Sequence, residues 1–276
     1  MEGEDQKIDQ IVNKSQKGKI WPIFILALLL IGAGVGGYFV FTGRSLEIGK
    51  TTNDIRWELM DDGNYRASST PPGCPSPLVL DPPTDLSKVV SVLYPGQSRG
   101  GDYKPHGGLR FADNANEAII TAPMDASVVN GSRYIESGEI QYLFSFVNSC
   151  GIQYRLDHLR VLSPSFATLA EKLPAAKEDD SRTTEFNPPA EIKAGDIIAT
   201  TVGIINSGNA GFDFGVYDLR QQNEASKDPS FRTANADDPG QAWHALCWFD
   251  LFSANNEAKV RSLPATANNS QSDYCK

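Results

Sequence analysis

What the chain has little of limits its function classes. It contains four Cys and three His in 276 residues, which excludes a cysteine-rich zinc module and a disulfide miniprotein. Positive charge is also scarce, because 25 Lys and Arg face 34 Asp and Glu and give a net charge of -9. Binding to a nucleic-acid backbone needs clustered Lys and Arg. We therefore expect no nucleic-acid partner. The P-loop, dinucleotide-binding, EF-hand and G-x-S-x-G signatures are absent from the sequence.

Charge is missing altogether from residues 20–43, which read IWPIFILALLLIGAGVGGYFVFTG. About 20 apolar residues suffice to cross the hydrocarbon core of a bilayer. A cleaved signal peptide has a shorter apolar region of about 7–15 residues. We therefore expect residues 20–43 to form an uncleaved transmembrane helix that contacts the lipid bilayer. Gly32 and Gly36 form a GxxxG pair, which favours an oligomer through this helix, although such a pair also occurs on helices that simply face lipid.

The residues around the apolar run predict its orientation. A short tail that carries four Lys precedes the run, and such a tail usually stays in the cytoplasm. We therefore expect a single-pass cell-membrane protein with residues 1–19 in the cytoplasm and an extracytoplasmic C-terminal domain. All four Cys follow the run, where an oxidising compartment permits disulfides. Four Cys allow three pairings. The pair Cys247 and Cys275 is favoured because both residues lie in the C-terminal segment, and free buried thiols are the alternative.

The rest of the chain divides by composition into three parts. Residues 44–84 are predicted to be a polar stalk that ends in a Pro-rich linker. Residues 85–220 hold short β-branched or aromatic runs separated by Gly, Asn, Ser or Pro, which is typical of strands and turns. One helical stretch, residues 165–172, interrupts them. Residues 221–276 are predicted to be a C-terminal extension whose apolar run docks on the core. The fold class is therefore mainly β, with an N-terminal transmembrane helix.

Five motifs follow one another between Gly101 and Val216. They are GDYKPHGGLRF at 101–111, APMDASVV at 122–129, LDHL at 156–159, IKAGDIIA at 192–199 and GNAGFDFGV at 208–216. In this order they resemble the domain of the lysostaphin-type zinc endopeptidases, also known as the LytM-type. The resemblance implies a β-sheet domain of that peptidase kind.

The same resemblance assigns positions to candidate site residues. In that family, zinc is held by the His of the first motif, by an Asp four residues later and by the second His of an H-x-H pair. His106 keeps the first ligand position, and Arg110 occupies the position of the Asp. Gly211 and Asp213 stand at the two H-x-H positions. His158 keeps the histidine of the third motif, which acts on the attacking water and the developing oxyanion.

Arg110 changes what chemistry this cleft can support. A guanidinium has no lone pair to donate and repels a divalent ion. Catalytic zinc needs three protein ligands. We therefore expect no cofactor and a non-catalytic, peptidase-like domain that binds a cell-envelope polymer or a protein partner. The alternative is an active zinc metallopeptidase that uses His106, Asp213 and His158 as an altered ligand set. A third possibility is a structural part of an envelope complex.

The resemblance also places Arg110, Tyr154 and Gly211 in the cleft. For several of the candidate residues, a purely structural role is the alternative to a role in the cleft. His106 follows a Pro and is equally suited to capping a turn. His158 is equally suited to a hydrogen-bonded place in the core. Arg110 and an acidic residue at position 213 are a natural ion pair in place of a metal.

Overall fold

The structure is a computed structural model that describes residues 47–48 and 55–276 of the chain. Its strands, in chain order, are β1 (Glu47–Ile48), β2 (Trp57–Leu59), β3 (Tyr65–Ala67), β4 (Val89–Leu93), β5 (Gln97–Arg99), β6 (Asp102–Lys104), β7 (Gly107–Phe111), β8 (Glu117–Thr121), β9 (Ala126–Glu136), β10 (Glu139–Val147), β11 (Ile152–Leu162), β12 (Thr184–Ile192), β13 (Ile197–Val202) and β14 (Gly211–Asp218). Its helices are α1 (Pro164–Ala170), α2 (Pro229–Ala234), α3 (Pro239–Ala242) and α4 (Ala254–Ser262). Short 3-10 turns lie at Ile205–Ser207, Ala225–Lys227 and Trp248–Leu251.

Ten strands form one antiparallel sheet, so the predicted mainly β class is confirmed. Along its main path the strand order is β1-β12-β9-β10-β11-β14-β7-β4, and β13 joins β11 and β8 beside this path. Two separate hairpins, β2–β3 and β5–β6, complete the β structure of the described residues. Strands β9, β10 and β11 form two consecutive hairpins, whose turns contain Gly138 and Gly151 with positive φ angles that glycine adopts without strain.

The main core lies on one face of this sheet. Side chains alternate along a strand, and Phe212, Phe214 and Val216 of β14 all point into that core. Helix α1 covers part of it through Phe166 and Leu169. The opposite face is also covered, because every residue of β14 is buried. This central strand is therefore shielded on both sides.

The segments on either side of the sheet domain pack against it. The apolar C-terminal run docks on the core, as predicted, and Trp248, Phe249 and Phe252 are buried there. The Pro-rich segment, which was predicted to be a stiff linker, is fastened to the domain instead. Leu80 is 1% exposed, and its backbone N–H donates to the Leu251 carbonyl. This part of the chain is a constituent of the fold because it brings its own apolar side chain to the core.

Two disulfides close the described domain. Cys74 is bonded to Cys150 and Cys247 to Cys275, and the second bond is the pair that the sequence favours. The first fastens the Pro-rich segment to the turn between β10 and β11. Disulfides persist in oxidising compartments, so the β domain is suited to an extracytoplasmic location. The predicted transmembrane residues 20–43, with Gly32 and Gly36, lie outside the described residues. Among the helices that are described, none has the length and apolarity to cross a bilayer.

Candidate ligand-binding cluster

A fork in the sheet positions the candidate site. The first half of β11 pairs with β14, from Ile152 opposite Asp218 to Asp157 opposite Asp213. From Leu159 onward β11 pairs with β13 instead. Its register with β10 also shifts at this point, which marks a β-bulge. His158 sits at the change of partner with a φ of 59°, in the left-handed region that non-glycine residues rarely adopt.

The bulge decides where His158 points. Simple alternation would put residue 158 on the same face as Tyr154 and Leu156, inside the main core. The left-handed residue re-aims the strand, so the imidazole of His158 instead approaches the carboxylate of Asp213. The sequence alternative of a core histidine is therefore wrong, and the strained backbone has a visible geometric effect.

Eight polar side chains gather on the face of the sheet opposite the main core, and we call them the polar cluster. They are His106, Arg110, Tyr134, Glu136, Arg155, Asp157, His158 and Asp213.

Two carboxylates lie directly opposite each other at the centre of the polar cluster. Asp157 and Asp213 are cross-strand partners, an arrangement that is destabilising for like charges. Each has its own arginine. The Nη2 atom of Arg155 lies 2.7 Å from Asp157 Oδ2, and that of Arg110 lies 2.7 Å from Asp213 Oδ1. The two ion pairs neutralise the facing carboxylates, which explains how both are held in one buried place.

Asp213 connects the largest number of elements. Its Oδ1 atom accepts from Arg110 on β7, and its Oδ2 atom lies 3.1 Å from His106 Nε2 and 3.8 Å from His158 Nε2. Burial alone would favour the protonated form. Arg110, helped by the hydrogen bond from His106, outweighs burial and holds the pKa of Asp213 well below its usual range. Asp213 is therefore ionised at neutral pH.

His106 donates to Asp213 as a neutral ring. Its residue is 8% exposed, and this burial lowers the pKa of the imidazole despite the neighbouring carboxylate. A neutral ring that donates from Nε2 has a bare Nδ1, and that buried atom has no hydrogen-bond partner among the described residues. Arg99 of β5 fixes the backbone here, because its Nη2 donates to the His106 carbonyl at 2.9 Å. His106 therefore does more than cap a turn.

His158 is held less tightly than its neighbours. Its Nδ1 lies 3.3 Å from the Tyr134 hydroxyl and 3.7 Å from Glu136 Oε2. The Tyr134 hydroxyl donates its one hydrogen to Asp157 Oδ1 at 2.7 Å, so it has no hydrogen left to donate to His158. Partial burial raises the pKa of Glu136, against the effect of His158. Glu136 is 38% exposed, which makes it the most accessible carboxylate of the polar cluster.

Gly211 and Gly108 allow β7 and β14 to approach closely. A Cβ atom at position 211 would lie 2.5 Å from the Leu109 carbonyl oxygen and 2.4 Å from Arg110 Cδ. A Cβ at position 108 would lie 2.8 Å from Asp213 Oδ1. Arg110 lies across this gap and donates from Nη1 to the Phe212 carbonyl at 2.8 Å. Glycine at 211 is therefore part of how the arginine reaches Asp213.

One residue that the sequence placed in the cleft is elsewhere. Tyr154 is fully buried in the main core, where its ring stacks on Phe146 with 4.4 Å between centroids. Its hydroxyl donates to the Met124 carbonyl at 3.2 Å. Strand alternation explains this, because Tyr154 and Arg155 must point to opposite faces of the sheet. The prediction for Tyr154 is wrong, and Arg155 is the residue of this pair that belongs to the polar cluster.

The donor set does not fit a zinc ion as arranged. The imidazoles of His106 and His158 and the carboxylate of Asp213 do approach one another, but the guanidinium of Arg110 already binds Asp213. A cation at that distance opposes a second, divalent cation. Within residues 47–48 and 55–276, no group of three or more His, Cys, Asp or Glu side chains is arranged to hold a metal ion.

Sequence reasoning missed Tyr134, Glu136 and Arg155, which lie outside the recognised motifs, and Asp157, which lies within the third motif but was assigned no role there. A signal was nevertheless present. Arg155 and Asp157 lie two positions apart in β11, on either side of Leu156, and Tyr134 and Glu136 lie two positions apart at the end of β9, on either side of Ile135. Polar residues two positions apart share one face of a strand and therefore indicate a polar patch on that face.

The comparisons with known proteins leave the resemblance as a hypothesis. The chain matches no protein-family model, no curated protein sequence and no solved structure.

Proposed function

We propose that this chain is a membrane-anchored protein whose extracytoplasmic domain is a lysostaphin-like peptidase domain that binds a ligand without cleaving it. The ligand is a cell-envelope polymer or a protein partner. The anchor is the apolar stretch 20–43. The observation that carries the proposal is the ion pair of Arg110 with Asp213, since it puts a permanent cation where the family has its zinc ion.

The arrangement of the family positions supports the peptidase-like part of the proposal. His106, Arg110, His158 and Asp213 come from β7, β11, β14 and the residue before β7, yet their side chains meet at one carboxylate. The four positions were assigned from three separate motifs, and their meeting at one carboxylate is what a correct assignment of those motifs to one cleft predicts. This supports a shared cleft, and Arg110 supports a cleft without a metal.

The alternative is an active zinc metallopeptidase that uses His106, Asp213 and His158. One observation favours it: both imidazole Nε2 atoms lie within 3.8 Å of Asp213 Oδ2. It requires the Arg110 guanidinium to leave Asp213. At about 4 Å and an effective dielectric near 20, two unit charges repel by about 4 kcal/mol, or about three decades of affinity. The non-catalytic reading needs no such movement.

Zinc binding to position-110 variants tests the proposal. We expect the unmodified chain to hold no stoichiometric zinc in elemental analysis and to show no endopeptidase activity. Arg110→Asp removes the repelling charge and supplies a carboxylate, so it should bind zinc at least tenfold more tightly in isothermal titration. Gly211 is left unchanged, because any Cβ there would collide with the Leu109 carbonyl.

Arg110→Lys is the matched control. It keeps a positive charge and should gain no zinc affinity. Tight binding of one zinc by the unmodified chain, together with peptide cleavage, would establish the altered-ligand peptidase. If Arg110→Asp folds and gains no zinc affinity, the assignment of the motifs to one metal cleft fails.

Separate experiments address binding and anchoring. Retention of the chain on purified envelope polymer, compared with capture of a protein from detergent extracts, distinguishes the two ligand classes. Glu136→Gln should weaken retention if the polar cluster is the contact, whereas Glu58→Gln on the exposed strand β2 should not.

Protease added to intact spheroplasts should degrade the domain, and protection of residues 55–276 would contradict the proposed topology.

A further inference from the structure

A second buried histidine has hydrogen-bond partners that a neutral ring cannot satisfy. His244, which follows α3, is 1% exposed. Its Nδ1 lies 2.9 Å from the Asp218 carbonyl oxygen and 3.0 Å from that of Gln221. Its Nε2 lies 2.9 Å from the Gly63 carbonyl oxygen. Carbonyl oxygens only accept, so each ring nitrogen must donate.

We infer that His244 is a proton-operated latch that holds the β2–β3 hairpin on the domain. The doubly protonated ring donates on both sides and joins Gly63, in the turn of that hairpin, to the end of β14. All three surrounding acceptors are carbonyl oxygens, so both ring nitrogens must carry hydrogen for every contact to be a hydrogen bond. The latch therefore closes when the ring carries its second proton.

Loss of one proton releases the hairpin side specifically. A neutral ring with its hydrogen on Nε2 would leave the bare Nδ1 facing two carbonyl oxygens. A neutral ring with its hydrogen on Nδ1 keeps both of those bonds and leaves bare Nε2 facing Gly63 alone. The second tautomer places a bare nitrogen against one carbonyl oxygen rather than two, so it is the favoured neutral form. Deprotonation therefore breaks the hydrogen bond to Gly63.

The β2–β3 hairpin packs closely against the residues around His244. Gly63 has a φ of 79°, and a Cβ there would lie 2.2 Å from the ring of Trp243. Gln222 Nε2 also approaches the Gly63 carbonyl, at 3.3 Å, so part of the attachment survives without His244. The ring of Tyr65 in β3 meets the imidazole edge-on with 4.9 Å between centroids. The neighbouring Gln241 accepts from Arg155, so the latch adjoins the polar cluster.

Several charged or titratable groups surround the latch. Asp218 gives its carboxylate to Arg220 at 2.7 Å and therefore does not pair with the imidazole. Tyr65, whose pKa burial raises to about 12, stays neutral near pH 7. Asp238 caps the N-terminus of α3 and lies near Arg155 and Asp237, and burial raises its pKa to about 6. Asp238 is thus the group whose titration must be separated from that of His244.

Hydrogen exchange of the hairpin in the full-length chain tests the latch. The hydrogen bond to Gly63 requires the second ring hydrogen, so protection should be greatest at low pH and fall as the pH rises from 5 to 8, after correction for intrinsic exchange. Loss of about one hydrogen bond predicts an approximately fivefold fall at the Met60 and Gly63 amides. Asp238→Asn, which keeps a helix cap, should retain this fall. His244→Asn should abolish it.

Imidazole nitrogen NMR of the unmodified chain supplies an answer that does not depend on a variant folding. Two N–H nitrogens at His244 in the folded protein at pH 6 are expected. A bare nitrogen there overturns the inference. It is equally overturned if His244→Asn folds and shows the same pH-dependent fall in protection as the unmodified chain.

Discussion

At the scale of single residues, the polar cluster is organised by charge neutralisation rather than by exposure to water. Asp157 and Asp213 face each other across two strands, and each is ionised because an arginine lies 2.7 Å away. Removing one member of such a pair leaves the other charge buried and unpaired, which typically costs about 3–5 kcal/mol. The arginines are therefore structural necessities of this site, whatever it binds.

Acid should destabilise the fold through Asp213. Its pKa is lowered on folding, so its stabilisation is present above the unfolded pKa of about 4 and is lost as the pH falls below that value. Asp213→Asn should lower the free energy of unfolding by about 3 kcal/mol at pH 7. It should also flatten the acid limb of stability, measured by urea unfolding between pH 2 and 7.

Asp102→Asn is the comparison for this effect. Asp102 pairs with Lys104 at 3.2 Å, but its side chain is 74% exposed, so the substitution should change stability by less than about 1 kcal/mol. An acid limb of equal steepness in Asp213→Asn and the unmodified chain would show that Asp213 is not stabilised as an ion.

At the scale of secondary-structure elements, strand β11 shows what a sequence pattern can and cannot predict. A run of β-branched and aromatic residues predicted the start of this strand, and alternation places Ile152, Tyr154 and Leu156 in the core. It could not predict the bulge, because nothing in LDHL requires a change of strand partner. Strand β12 was missed for a different reason. Pro188 and Pro189 lie within it, and its pairing with β9 skips them, between Glu185 and Ala190.

The bulge makes a testable distinction between alanine and glycine at position 158. Both substitutions remove the imidazole, but only glycine adopts a φ of 59° without strain. We expect His158→Gly to be more stable than His158→Ala by about 1 kcal/mol in urea unfolding. At Gln153, an ordinary position of the same strand, glycine should be the less stable of the two. The same order at both positions would contradict a left-handed residue 158.

At the scale of the whole molecule, the two disulfides should contribute unequally. They join residues separated by 76 and 28 positions. In the chain-entropy model these loops correspond to about 4.5 and about 3.6 kcal/mol. Replacing Cys74 and Cys150 with Ser should therefore lower the free energy of unfolding more than replacing Cys247 and Cys275. Urea unfolding of the two double variants, without reductant, measures the difference, and the reverse order would contradict this reading.

The same residues show how much of the fold could be predicted from the sequence. The β class, the docking of the C-terminal aromatic run and the Cys247–Cys275 pair all depend on local composition. The attachment of the Pro-rich segment depends on Leu80 and Cys74 finding partners far along the chain, at Leu251 and Cys150. Composition describes a segment but not its distant partner. The polar cluster lies between these cases, since the resemblance pointed to four of its eight residues and the other four were not predicted.

The Cys74–Cys150 bond also determines how the molecule responds to stretching. A pulling force on the segment before Cys74 is first resisted by the pairing of β1 with β12 and by the contact of Gly63 with His244. Once these are broken, the force crosses the bond and enters the sheet at the turn between β10 and β11. The chain between the two cysteines, which includes strands β4 to β10, carries no tension while the bond is intact. That chain would extend by roughly 25 nm if it were free. A tethered molecule therefore keeps this length in reserve, and a reducing agent applied under force would release it.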